Sequence, residues 1–170
     1  MRWLTFGIMA CGVIVLQTAL SWQLQLGAIR PEWVIVLAAF YALHAPASEA
    51  VIAGWILGLL VDLGSDARLG LFALSFAMAA IVVVRFRELF FRNHVLSYAS
   101  VTLLFAGIVH GILGIYRTRA FPEAGSGWSV MVWEPVLTAL YAGVWSVPAF
   151  YVLRGLSPWM GLRFGKARRI

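Results

Sequence analysis

Three ionisable side chains stand in otherwise apolar stretches: Asp62, His110 and Glu134. A titratable group in such a run is costly in lipid and usually faces a bundle interior or water. Two carboxylates and an imidazole could pass a proton or grip a polar ligand, but no spacing here is diagnostic of a relay. The plainer reading makes each a separately hydrogen-bonded core residue. Asp62 ends an apolar run. It is either a solvated helix end or a cap for the next turn, or a group that meets a ligand, a partner or an ion.

Other chemistries find no support. There is no serine–histidine–acid set, no phosphate-binding glycine loop and no metal-ligand pair, so neither enzymatic activity nor a cofactor is expected. Cys11 is the single cysteine. It excludes an intrachain disulfide and a cysteine metal cluster, and is expected to be a buried thiol. Ile8-Met9-Ala10-Cys11 is only a faint lipoprotein-type cleavage site, because the ten residues before Cys11 carry a single Arg2. Residues 3–22 also resemble a secretory signal. More apolar segments follow, so a retained first helix is expected.

The surrounding elements must lie in lipid. Of 170 residues, 62% are apolar and 12% charged, with a mean hydropathy of +0.90. Soluble chains carry about twice that charge. The reading is an all-α, polytopic membrane bundle of six transmembrane helices in a single integral domain spanning 1–170. The expected helices cover about 3–22, 31–43, 49–63, 69–84, 95–116 and 129–153, with a basic tail over 154–170. Pro31 suits a first helical turn, and Ser48 is the expected N-cap of helix three. Helices two to four reach only about 20–24 Å at 1.5 Å per residue, less than the roughly 30 Å hydrocarbon layer. They must borrow turn residues or be shielded by their neighbours; a re-entrant pair over 31–63 is the rival arrangement.

Helix three carries Ala50, Gly54, Gly58 and Asp62 at intervals of four. The spacing puts them on one face, where small residues let a neighbouring helix approach closely. That neighbour is either helix four or a helix of a partner.

Net charge is +6, but the basic residues border apolar blocks and form no stripe, so nucleic-acid binding is not expected. With six helices and the N-terminus inside, nine basic residues lie inside: Arg2, Arg85, Arg87, Arg92, Arg154, Arg163, Lys166, Arg168 and Arg169. Four lie outside: Arg30, Arg68, Arg117 and Arg119. The excess places both termini in the cytoplasm. Arg85–Arg92 reads as an interfacial anchor or a docking segment for a cytoplasmic protein. The basic tail is expected to touch anionic lipid.

Arg30-Pro31-Glu32-Trp33 opens helix two. Gly54-Trp55-Ile56-Leu57-Gly58-Leu59-Leu60-Val61-Asp62-Leu63 follows, then Leu69-Gly70-Leu71-Phe72-Ala73-Leu74. This order resembles the MreD family of bacterial rod-shape-determining proteins. The likeness is clear over about 60 residues, with no sharp motif after Arg92. It implies six helices in the bacterial inner membrane and a fold similar to the substrate-binding subunit of energy-coupling-factor transporters. It also implies a non-enzymatic scaffold that works with MreC, and through it with MreB, RodA and RodA's transpeptidase partner, in side-wall peptidoglycan synthesis. Arg30, Pro31, Gly54, Gly58, Asp62 and Gly70 are the residues expected to serve packing or partner contact. The alternative function is a substrate-capture subunit of a vitamin transporter, which would place Asp62, His110 and Glu134 around an outward pocket. A membrane enzyme acting on lipid-linked precursors is the third reading, without a firm acid–base pair.

Overall fold

The computed structural model describes residues 2–20, 23, 32–65, 68–87, 95–120 and 128–160. They form six helices: α1 (Trp3–Leu20), α2 (Trp33–His44), α3 (Ala47–Leu63), α4 (Leu71–Phe86), α5 (Val95–Ala120) and α6 (Trp128–Met160). By length and composition, α1 and the segments Leu96–Ala120 and Pro135–Trp159 are long and apolar enough to cross a membrane.

The bundle is built around its shortest helix. Every residue of α2 from Val34 to His44 is buried, and α2 packs against all five other helices. At 12 residues it is about 18 Å long. Its apolar sequence has no polar face because it has no outside. Aromatic rings knit the neighbours to it. Phe6 of α1 meets Tyr41 edge-on at 5.1 Å, and Phe40 meets Tyr98 of α5 at 6.0 Å. The Tyr98 hydroxyl donates to the Val36 carbonyl at 2.5 Å. Phe76 of α4 meets Phe105 of α5 at 5.4 Å.

A short helix has unpaired N–H and C=O groups at its ends that need partners. Here other helices supply the partners. The Gln17 side chain of α1 accepts from the Val34 N–H at 3.2 Å, in the first turn of α2. At the other end, Arg87 donates through Nη1 to the Ala45 carbonyl at 2.7 Å. Of the ways open to a short helix, α2 is shielded by its neighbours, being buried from Val34 to His44.

Several local expectations change. Pro46, not Ser48, precedes the first turn of α3, and the Ala50 N–H bonds the Pro46 carbonyl. Proline's fixed φ starts the helix two residues early and leaves Ser48 inside it. Helix six runs to Met160, through Pro135, Pro148 and Pro158. Cys11 is exposed, not buried. α1 touches the bundle along Phe6 and Ala10, and the next residue turns about 100° away from that contact.

Candidate functional site: the closed α3–α4 seam and the polar pair at α5

The face of α3 bearing small residues is filled by α4. A Cβ on Gly58 would lie 2.5 Å from the Phe72 carbonyl oxygen and 2.7 Å from the Ala73 Cα. Both are backbone atoms that cannot step aside cheaply, so only glycine fits. One turn earlier, a Cβ on Gly54 would meet the Ala80 Cβ at 3.1 Å and the Phe76 carbonyl at 3.2 Å. Of the two neighbours open from sequence, helix four occupies the seam.

Asp62 completes it. The side chain is 1% exposed. Its Oδ2 accepts from the Gly70 N–H at 3.1 Å and the Ala73 N–H at 2.9 Å, and its Oδ1 accepts from the Phe72 N–H at 3.1 Å. Phe72 and Ala73 lie in the first turn of α4, where a capping side chain at the preceding residue would ordinarily bond. That preceding residue is Gly70, which has no side chain. Its φ of 96° is the left-handed conformation that glycine adopts freely. Asp62 therefore caps α4 from across the seam. A carboxylate in the last turn of α3 opposes that helix's own dipole, an effect of about 0.3–1 kcal/mol. Three charge-assisted bonds, at about 1.5–3 kcal/mol each, outweigh it. The end-of-helix cap describes this geometry; a solvated carboxylate does not.

His110 has a different partner. Its Nε2 lies 3.4 Å from Oε2 of Glu32, the residue just before α2. The distance is long for an N–H···O bond, so this is a polar contact. Asp62 and His110 are thus held separately, one by α4 and the other by Glu32. The side chain of Glu134 lies outside the described residues, as do Arg30 and Pro31. Among the described residues no three His, Cys, Asp or Glu side chains gather as a metal site would need.

Sequence reasoning missed Glu32 as the contact of His110, and Gln17 and Arg87 as hydrogen-bonding partners. Glu32 was legible as an acid at a helix start, which the dipole favours, but its pairing with His110 spans 78 positions. Gln17 and Arg87 bond backbone groups of other helices, which no local pattern reveals.

What fold and site define is a small all-helical bundle rich in membrane-type helices, whose most developed polar feature locks two of its own helices together. The chain belongs to the MreD family: the family model for the rod shape-determining protein MreD matches residues 1–155. Neither a curated protein nor a solved structure matches the chain. The family assigns it a role in rod-shape determination.

Proposed function

We propose that the chain is a non-enzymatic scaffold of the cell-elongation machinery. It lies in the bacterial inner membrane with six passes and both termini in the cytoplasm, and acts with MreC in rod-shape maintenance and side-wall peptidoglycan synthesis. The likeness to the substrate-binding subunit of energy-coupling-factor transporters belongs to the same proposal. The observation that carries it is the family match over residues 1–155.

The structure supports a scaffolding role through the use made of its polar groups. Asp62 is spent on three backbone N–H groups of α4, so it maintains architecture and has little capacity left for a ligand. A capture subunit would need Asp62 and His110 to face one pocket, but Asp62 bonds the start of α4 and His110 meets Glu32. With the α3 seam filled by α4, MreC must dock elsewhere, on a face that the fold leaves open.

The test is purification of the tagged full chain from its own membranes, followed by identification of what accompanies it. MreC should be recovered at near-stoichiometric amounts. Recovery of a transporter's energising subunits without MreC would replace the scaffold reading with the capture-subunit one.

A further inference from the structure

The helices α5 and α6 are in tight contact at one level and part at another. At Gly143 the fit is close: a Cβ there would lie 3.0 Å from the Leu103 side chain. Toward the C-terminal end of α5 the two helices leave a groove of about 460 Å³. Leu103, Gly107, His110 and Gly114 line its α5 wall, and Pro135, Val136 and Leu140 are on its α6 wall. Cβ atoms on Gly107, Gly111 or Gly114 would meet nothing within 4 Å, so this glycine face, unlike that of α3, is left open.

Two features identify an occupant. The first is length. The α5 wall runs from Leu103 to Ile115, about 18 Å at 1.5 Å per residue. That is close to half of a hydrocarbon layer of about 30 Å. A spanning helix would need the whole depth, whereas an acyl chain of one leaflet needs half. The second is charge. The lining positions 103, 107, 110 and 114 advance by four, three and four, and the next step of three is Arg117. Arg117 is exposed one turn beyond Gly114 and has no ion pair among the described residues. Trp133, 61% exposed, precedes Val136 by three on the α6 wall, and tryptophan favours the headgroup level.

We propose that the α5–α6 groove binds an anionic phospholipid, its acyl chain against the glycine face and its phosphate at Arg117. The inference rests on the membrane placement proposed above. An apolar trough about one leaflet deep with a cation one turn beyond its last glycine complements a lipid in both shape and charge. His110 is the polar group within the trough, about two turns below Arg117.

Native mass spectrometry of the full chain in detergent, titrated with phosphatidylglycerol or phosphatidylcholine, tests it. The wild-type chain should retain phosphatidylglycerol in preference. Arg117→Gln, an exposed change that leaves the packing intact, should reduce that preference about fivefold, the contribution of one basic residue at an anionic surface. Gly111→Leu should fill the trough and weaken retention of both lipids. Gly155→Leu adds the same bulk at another open glycine on α6 and should change nothing. Equal retention of the two lipids by the wild type overturns the proposal, as does unaltered binding in both Arg117→Gln and Gly111→Leu. Carbonate extraction of the source membranes keeps the two readings apart. A chain released as soluble overturns the membrane placement itself, while one that stays but ignores the headgroup overturns only the groove.

Discussion

At the residue scale, Asp62 shows how one side chain can join two helices. Its carboxylate takes over the capping duty that Gly70 cannot perform, and it does so while buried. Asp62→Ala would leave three N–H groups without partners. Each unsatisfied buried donor costs about 1–3 kcal/mol, so the expected loss is about 3 kcal/mol or more, well above the ~1 kcal/mol of an ordinary cap. Asp62→Asn keeps one acceptor oxygen and should fall between the alanine variant and the wild type. Thermal unfolding of the purified variants in detergent checks the order. A loss near 1 kcal/mol for the alanine variant would mean that water replaces the carboxylate. At the same scale, Tyr98→Phe removes the hydroxyl that bonds Val36 and should cost about 1 kcal/mol in the same measurement.

At the scale of elements, glycines of identical sequence character have opposite roles. Gly58 is in contact with α4 backbone, Gly54 is nearly so, and Gly107 faces open space. Alanine substitutions should separate them. Gly58→Ala should cost about 1–3 kcal/mol through overpacking, and Gly54→Ala should cost less. Gly107→Ala should be neutral or stabilising by up to about 1 kcal/mol, since alanine favours a helix over glycine. Unfolding midpoints for the three variants test the ranking, and a Gly58→Ala chain as stable as wild type would refute the closed seam.

This contrast also marks how far the sequence could be read. The interval of four from Ala50 to Asp62 revealed a close-packed face, whereas helix four, expected from residue 69, starts at Leu71 because Gly70 in the left-handed conformation precedes its first turn. Which helix would fill the face was open, because small residues state that something approaches and not what. The Asp62 cap was readable as one possibility, since an acid at a helix end followed by a short turn can reach the next helix. The Glu32–His110 contact was not, because α2 and α5 become neighbours only through tertiary packing. The buried Cys11 was misjudged for a related reason. α1 is apolar all round, so its sequence does not distinguish the side that packs on Tyr41 from the side that faces outward.

At the scale of the molecule, one fully buried short helix organises the rest. α2 supplies no surface, so among the described helices α1, α3, α4, α5 and α6 are the ones that can meet a partner. The exposed apolar residues along α1, among them Leu4, Ile8 and Val15, leave that helix free on most sides. In the proposed topology the excess of basic residues lies on the inner side. A periplasm-dependent reporter inserted at Gly125 should be active, and a cytoplasm-dependent reporter fused after Ile170 should be active too. The opposite pattern would overturn the six-pass topology.

The central claim, that this bundle sustains rod shape by holding partners in place, is tested most directly by cell width during depletion in the native host. Depleted cells should widen and round, and re-expression of the wild-type chain should restore rods. Depleted cells that keep their rod shape while losing uptake of a vitamin would contradict it.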